Sequence, residues 1–341
     1  MRISWIDNAK AIGIFLIVLA HGKGIETSVK TFIYSFHVPL FFLLAGVLLK
    51  DKHLNESFRS YTVKNVKILV IPYFCFWIIS YLYSILSLAV RNGGTIEMNV
   101  RLLEPIIGLF FGVGNTLGVN QVLWFFTCLY CTTTIFYFVS KLKNKNLIAL
   151  LLIIFGLLGP IIHQYITIRL PWNLELSFVA IVFYGFGYLL SKSNHFQELF
   201  SIKSRFLIIL SLLGTLLFAV KFNGQVNMNK MQFGNLALFY LGAFSGIGIT
   251  ILLSQIIPKN IFSEWLSRNT IIIFPLHPII FSVFTAIGVI ILGLDYNFKE
   301  NFILNIIYTM GTFAVCFPLA YIINRYFPWM AGYRQTSPNK L

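Results

Sequence analysis

The chain has 341 residues, of which 57% are hydrophobic and only 11% are charged. Soluble domains are about one quarter charged, so this composition excludes an ordinary soluble protein and indicates a membrane protein. The formal net charge of +15 does not indicate nucleic-acid binding, because the Lys and Arg residues gather in alternate loops and no nucleic-acid-binding motif is recognisable.

Apolar runs long enough to cross a bilayer, about 17–25 residues each, recur along the whole chain. The runs are continuous rather than alternating, which predicts helices and not the strands of a barrel. No linker or internal repeat divides the chain, so we expect a single membrane-embedded domain over residues 1–341. The predicted fold is an all-α bundle of about ten transmembrane helices, at residues 5–24, 31–50, 68–90, 121–140, 146–163, 174–191, 205–222, 235–257, 269–293 and 302–325.

The distribution of positive charge predicts the orientation of the bundle. An even number of spans puts both termini on the same side of the membrane. The segments on that side hold about 18 of the 26 Lys and Arg residues, and the richer side faces the cytoplasm in most membrane proteins. We therefore expect both termini to be cytoplasmic.

The first span carries the ionisable residues that point most directly to a site. Asp7, Lys10, Ile14, Ile17 and His21 recur at three- and four-residue spacing, which places them on one helix face. Ionisable groups within a membrane segment usually face a bundle interior or a wet cavity. At about 1.5 Å per residue, His21 lies roughly 20 Å from Asp7, so Asp7 is expected to pair with Lys10 or a loop cation instead. The alternative is an interfacial Asp7–Lys10 pair and a surface histidine.

The loop between the second and third spans is strongly basic. Lys64 and Lys67 share a helix face, and Arg59 precedes them by about a turn and a half. Such a cluster suits the phosphates of a nucleotide cofactor. The loop by itself is more typical of anchors against anionic lipid headgroups, which need no ligand.

Three further residues are candidates for contact with a substrate. His37 precedes Pro39 at the outer start of the second span, Trp124 opens the fourth span, and His277 lies between two prolines in the ninth. Each has a structural alternative: an interfacial histidine, an interfacial aromatic anchor and a kinked helix.

Two further features concern metals and the longest polar connection. The four cysteines lie in apolar runs, and no Cys/His cluster has the spacing of metal ligands, so we expect no metal.

Residues 91–120 form the longest polar connection. They contain an apolar piece from Leu102 to Val113 that is too short to span, which predicts a re-entrant or surface-lying helix.

These motifs together resemble integral-membrane acyltransferase family 3, especially its branch of fucose 4-O-acetylase-like sugar O-acetyltransferases. The resemblance covers essentially the whole chain and rests on Arg2, Asp7, Lys10 and His21, on the block Phe36 to Gly46, on Lys64 and Lys67 before Pro72-Tyr73, and on Leu123 to Phe125, Phe183 to Tyr188 and His277. Two departures stand out. Ala45 replaces the usual Ser, and Lys10, Lys64 and Lys67 stand where many relatives have Arg.

The resemblance implies transfer of an acetyl group from cytoplasmic acetyl-CoA to a hydroxyl of a cell-envelope glycan or lipid-linked sugar, at the bacterial cytoplasmic (inner) membrane. Lys10, Arg59, Lys64 and Lys67 would bind the CoA phosphates. His21 would be the general base or the acyl carrier, with Asp7 organising the CoA entrance. His37, Trp124 and His277 would face the acceptor.

Two other functions fit parts of the pattern. A flippase or other transporter of a lipid-linked glycan also has many spans and scattered intramembrane ionisable groups, but the chain lacks paired interrupted helices in matching halves. A membrane glycosyltransferase would need acidic residues at a membrane face, and the chain has only 11 Asp and Glu residues, with no acidic pair at the inner face.

Overall fold

The computed structural model describes residues 3–91, 100–166, 168–193 and 205–332. Arg2, one of the residues of the family resemblance, lies outside them. Within these residues the chain forms fifteen helices: α1 (Ser4–His21), α2 (Thr27–Tyr34), α3 (His37–Val47), α4 (Asp51–Leu54), α5 (Phe58–Asn65), α6 (Ile71–Arg91), α7 (Val100–Phe111), α8 (Trp124–Ser140), α9 (Lys145–Tyr165), α10 (Leu174–Ser191), α11 (Arg205–Asn223), α12 (Leu236–Ile256), α13 (Ile261–Arg268), α14 (Thr270–Ala286) and α15 (Phe302–Tyr326).

Ten segments of the described chain are long and apolar enough to cross a membrane, which confirms the predicted all-α multi-span fold. The second segment, Thr27–Val47, is interrupted at Ser35 and Phe36, so that α2 and α3 are separate helices. The third continues from α5 through a π-helical turn, Val66–Val70, into α6. The orientation of the termini stays a prediction.

The inner helices of the bundle approach closely because glycines remove side chains at their crossing. α10 packs against α3, α8 and α9. A Cβ atom at Gly46 of α3 would collide with the backbone oxygen of Tyr184, and one at Gly187 of α10 would collide with that of Leu43. Small residues at such crossings are the usual means of helix association in membranes. α9 and α11 lie at the periphery and expose most of their apolar side chains.

The predicted stripe on the first span is the buried face of α1. Asp7, Ile14 and Ile17 are buried, whereas Lys10 and His21 are half-buried. The first turns of α1 are held by α13 and the end of α12. Asn8 donates to the carbonyls of Ser254 and Ile257 and accepts from Ser263.

The connection before the fourth span contains a short helix, as predicted for its apolar piece. α7 has 12 residues, or roughly 18 Å, which is too short to cross the bilayer. Leu103, Ile107 and Phe110 are exposed on one face of α7. Leu109 is buried on the opposite side, where its carbonyl accepts a hydrogen bond of 2.6 Å from Tyr73.

A buried ion pair joins the loop after α9 to the start of α10. The Arg169 guanidinium bonds the carboxylate of Glu175, whose side chain is only 2% exposed. Arg169 also donates to the Asn173 side chain at 2.9 Å and to the Asn229 carbonyl. Trp172 and Asn173 adopt left-handed backbone conformations, with φ of 60° and 57°, which non-glycine residues adopt rarely. We call this group of four polar residues (Arg169, Asn173, Glu175, Asn229) the Arg169 junction.

Candidate active site

Two histidines from distant parts of the chain meet inside the bundle. The ring centroids of His21, at the end of α1, and His277, in α14, are 4.7 Å apart with the ring planes at 70°. His277 is the eighth residue of the 22-residue span Thr270–Ile291. The contact therefore lies within the membrane-spanning part of the bundle and not at the headgroup level. The structure brings together two residues that the sequence singled out separately.

The hydrogen bond of His21 fixes which ring nitrogen is available for chemistry. Its Nδ1 lies 2.8 Å from the carbonyl oxygen of Ile17. Because a carbonyl only accepts, Nδ1 carries the proton in the neutral ring, and Nε2 keeps a lone pair. This tautomer presents Nε2 as a base or nucleophile.

His277 is fully buried, and neither of its ring nitrogens makes a hydrogen bond of good geometry with the residues that the structure describes. The carbonyls of Ile273 and Phe274, about one turn earlier on α14, interact with the ring at poorer geometry. An imidazole buried without full hydrogen bonding is destabilising. The His277 ring thus keeps hydrogen-bonding capacity that the described residues do not fully use.

A tyrosine and a third histidine continue the row of rings. The Tyr34 ring lies 6.2 Å from His21 and 5.0 Å from His37, measured between centroids. His37 is buried as the first residue of α3, and its Nδ1 lies 2.8 Å from the Ile33 carbonyl. The break between α2 and α3 thus places Tyr34 and His37 on the same side of His21. Tyr34 is three residues before His37, a spacing that could have marked it, but the sequence analysis missed it.

A cleft of about 800 Å³ opens beside His21, between α6 and α14. From Pro278 to Ile291 its wall extends roughly 20 Å along α14 and the π-helical turn that continues it. Asn305 of α15 also lines it, and its Nδ2 donates to the Leu19 carbonyl at 3.1 Å. The Asn305 Oδ1 is buried without a partner among the described residues. An Asn in an apolar span was the signal that could have identified this residue.

Asp7 lies at the opposite end of α1 from His21, as its spacing predicts. It is buried, and Ser267 of α13 donates to its Oδ1 at 2.6 Å. Lys10 lies one turn further along α1 and is half-buried. The structure thus separates Asp7 from the histidines and joins it to α13, a contact between residues 260 positions apart.

The basic segment, residues 50–67, has an internal carboxylate. Glu56 forms an ion pair with Lys64, accepts from Ser60 at 2.7 Å and contacts His53. The Lys64 ammonium holds the pKa of Glu56 down, to about 2. Arg59 and Lys67 are exposed and make no ion pair with the described residues. Two of the three predicted cations of this loop are therefore open to an anion, and the third is bound to Glu56.

Trp124 is separated from the histidines by other aromatic rings. It is 7% exposed and contacts Phe125, which packs against Phe274 at 5.5 Å between centroids. Phe274 in turn lies 6.1 Å from His277. Trp124 is not among the described residues that line the cleft. Its predicted contact with a substrate stays a prediction.

Comparison with known proteins identifies the family. The model of acyltransferase family 3, described as an acyltransferase domain, matches residues 3–325. The chain belongs to acyltransferase family 3. A search of curated proteins and a search of solved structures found no match. The match favours an acyltransferase over a transporter, and the ten spans make this acyltransferase a multi-pass membrane protein.

In the described part of this acyltransferase, no three His, Cys, Asp or Glu side chains are grouped as a metal site would require. The polar side chains that the structure places around His21 are His277, Tyr34 and Asn305.

Proposed function

We propose that this acyltransferase moves an acetyl group from cytoplasmic acetyl-CoA to a hydroxyl of a cell-envelope glycan or lipid-linked sugar, in the bacterial cytoplasmic membrane. The observation that carries the proposal is the His21 imidazole, whose Nε2 is available as a base at a cleft inside a chain of this family. The fucose 4-O-acetylase-like motifs support acetyl as the group and a sugar as the acceptor.

The donor enters from the basic segment. Arg59 and Lys67 supply exposed cations for the CoA phosphates. Lys64 supplies a third cation when a phosphate replaces Glu56 as its partner. Lys10, on α1, is the fourth proposed phosphate ligand. Lysine and arginine both bind phosphate oxygens through charge-assisted hydrogen bonds. α1 runs from this side toward His21, so the pantetheine arm follows α1 and carries the thioester inward. Asp7 acts as a positioning residue that ties α1 to α13.

At His21 the chemistry is acyl transfer to oxygen. Nε2 takes the proton of the acceptor hydroxyl as that oxygen attacks the thioester carbonyl. A C–O bond forms, the C–S bond breaks, and the imidazolium returns the proton to the leaving thiolate of CoA. In the two-step variant, Nε2 itself attacks the carbonyl, so that a C–N bond forms and the C–S bond breaks with release of the CoA thiolate. The acceptor oxygen then attacks the acetyl-imidazolium, a C–O bond forms, the C–N bond breaks, and the hydroxyl proton goes to the thiolate. His37 and His277 flank the site and contact the acceptor, and Trp124 is retained as a more distant contact.

Replacing Lys67 by Met is expected to weaken CoA binding by about tenfold or more, because one charge-assisted hydrogen bond contributes about 1.5–3 kcal/mol. The measurement is the CoA-induced rise in melting temperature of the purified protein across a CoA titration. Lys52→Met, which removes an equally exposed cation of the same segment, is the matched control. Equal loss of CoA binding in both variants would indicate a general charge effect and exclude a phosphate site at Lys67.

The whole proposal is tested by acetyl transfer in membranes. Vesicles containing the wild-type chain receive radiolabelled acetyl-CoA on the cytoplasmic face and the envelope glycans of the host as acceptors. Label is expected in the glycan or glycolipid fraction and not in vesicles without the chain. No CoA-induced stabilisation together with no label would contradict a CoA-dependent enzyme.

A further inference from the structure

A non-helical segment enters the membrane-spanning part of the bundle. Residues 112–120, which we call the inserted loop, lead from the short helix α7 toward the start of α8. Asn120, at the end of the loop, contacts Pro275, the sixth residue of α14. Val113, Leu117 and Asn120 are 1%, 0% and 2% exposed. Non-helical backbone at membrane depth is tolerated where it is enclosed by protein, and the inserted loop meets this condition.

The beginning of the inserted loop is held by polar side chains of α8 and of the turn before α10. The Gly112 carbonyl accepts hydrogen bonds of 2.8 Å from the Thr127 hydroxyl and from the Asn173 amide. Both donors are buried, and Asn173 belongs to the Arg169 junction. The loop is therefore anchored where it leaves α7.

The Asn120 side chain anchors the other end of the loop to two transmembrane helices. Its Nδ2 donates to the Ser80 hydroxyl of α6 at 2.9 Å and to the Pro275 carbonyl of α14 at 2.8 Å. The Ser80 hydroxyl accepts, because its own proton is donated to the Phe76 carbonyl at 2.7 Å. Both partners are thus acceptors, and an amide NH₂ supplies the two donors that they need without a buried charge.

Asn120 binds α14 at the turn where that helix lacks internal hydrogen bonds. Pro275 and Pro278 have no N–H, so the helical hydrogen bonds to the carbonyls of Ile271 and Phe274 do not form. Prolines are the commonest cause of helix bends, because the missing bonds let the helix axis change direction. The bend of α14 at this turn therefore depends on contacts from outside the helix, and the Asn120 bond is one of them.

His277 lies between the two prolines, two residues after Pro275. Neither of its ring nitrogens makes a hydrogen bond of good geometry with the described residues, so the position of the ring follows the backbone of α14. The ring meets that of His21 at 4.7 Å between centroids. A change in the bend of α14 at Pro275 would therefore move His277 relative to His21.

We propose that Asn120 is a positioning residue of the acyl-transfer site. Its bond to the Pro275 carbonyl fixes the bend of α14 and with it the place of the His277 ring beside His21. Asn120 acts through α14 and not on the reacting atoms. This assignment rests on the proposed function, because it adds a positioning residue for acyl transfer at His21. A displacement of about 1 Å at such a site lowers the rate by about 10²-fold.

The test compares Asn120→Leu and Asn120→Ala with Ser80→Ala. Asn120→Leu removes both donors and keeps most of the side-chain volume, whereas Asn120→Ala removes the volume as well, so a folding defect in one variant still leaves the other. Ser80→Ala is the matched control, because it removes one acceptor of Asn120 and leaves the Pro275 bond in place.

Two readouts are needed. The first is the ¹⁵N NMR signals of the His277 ring in purified protein labelled at histidine, assigned by their absence from His277→Gln. These signals report the hydrogen bonding and surroundings of the ring and require no acyl donor or acceptor. The second is kcat and KM for acetyl transfer from acetyl-CoA, in membranes with matched amounts of each variant.

We expect both Asn120 variants to shift the His277 signals and to lower kcat by about 10–100-fold, with KM for acetyl-CoA within about twofold of the wild-type value. Ser80→Ala is expected to keep the wild-type signals and kcat. Unchanged His277 signals in the Asn120 variants, a shift without a fall in kcat, or the same changes in Ser80→Ala would overturn the assignment and leave Asn120 as a packing residue.

The NMR readout separates this assignment from the proposed function. If the wild type transfers no acetyl group and the His277 signals still depend on Asn120, acetyl transfer fails as the function and the control of His277 by Asn120 stands. If the wild type transfers acetyl and the His277 signals do not depend on Asn120, the positioning role alone fails.

Discussion

Replacing His21 by Ala is expected to lower acetyl transfer by about 10²–10⁴-fold, the usual contribution of a positioned general base. His21 is the residue at which the predicted stripe of α1, the His277 ring and the cleft meet. Its Nδ1–H bond to Ile17 holds the ring with Nε2 as the reactive nitrogen. If His21 carries the acetyl group covalently, the loss is expected to be at least as large, because no other step replaces the intermediate.

The measurement is incorporation of label from radiolabelled acetyl-CoA into glycan, in membranes with matched amounts of each variant. His163→Ala, in the peripheral helix α9, is the control and is expected to keep wild-type transfer. CoA-induced stabilisation should persist in His21→Ala, because the proposed phosphate site lies at the opposite end of the spans from His21. Equal labelling by His21→Ala and wild type would remove His21 from the chemistry and transfer the role to His37 or His277.

Replacing Glu175 by Ala is expected to cause the largest loss of stability, about 3–5 kcal/mol, because it leaves the Arg169 charge buried without its counter-ion. The side chains of Arg169 and Glu175 are 13% and 2% exposed, so neither charge is solvated by bulk water. The same change leaves the Nε–H of Arg169 without its acceptor, while the Nη2 of the same guanidinium still donates to Asn173 in the left-handed turn. The melting temperature in detergent and the yield of folded protein are to be compared between Glu175→Ala and the wild type.

Asp51→Ala is the control for this prediction. Asp51 forms an ion pair with Lys192 at 2.7 Å, but the two side chains are 55% and 30% exposed, and exposed pairs contribute at most about 1 kcal/mol. The Lys192 ammonium lowers the pKa of Asp51, so the contribution of this pair is present at neutral pH and is lost on acidification through that lowered pKa. The double variant Arg169→Met/Glu175→Met should recover part of the stability lost in Glu175→Ala. A loss in Glu175→Ala no larger than in Asp51→Ala would contradict a structural role for the Arg169 junction.

Local hydrophobicity was sufficient to predict the ten spans, because a continuous apolar run of about 20 residues has few alternatives to a transmembrane helix. Helical spacing likewise placed Asp7, Ile14 and Ile17 on the buried face of α1. Both predictions depend only on residues close in sequence. The separation of Asp7 from His21 followed from the helical rise in the same way.

The contacts that complete the site depend on packing between distant segments, which a single sequence does not encode locally. Ser267 reaches Asp7 across 260 positions, and Asn305 reaches Leu19 across 286. The apolar run 31–50 was predicted as one continuous span, because no Gly lies next to Ser35 and Phe36, where the structure breaks it, and Pro39 falls only in the first turn of the following helix. Yet the residues on the two sides of that break form the contacts in which Tyr34 lies between His21 and His37.

The bond between Glu56 and Lys64 has a consequence for selectivity among anions. With its pKa near 2, Glu56 stays ionised throughout the physiological range. An incoming phosphate must therefore compete with Glu56 for Lys64, whereas Arg59 and Lys67 make no ion pair with the described residues. A single lipid headgroup offers one charge for that exchange, whereas a ligand with several linked phosphates engages Arg59 and Lys67 at the same time and so gains from multivalency. If the basic segment binds CoA as proposed, Glu56 favours a ligand with several linked phosphates over a single headgroup at Lys64.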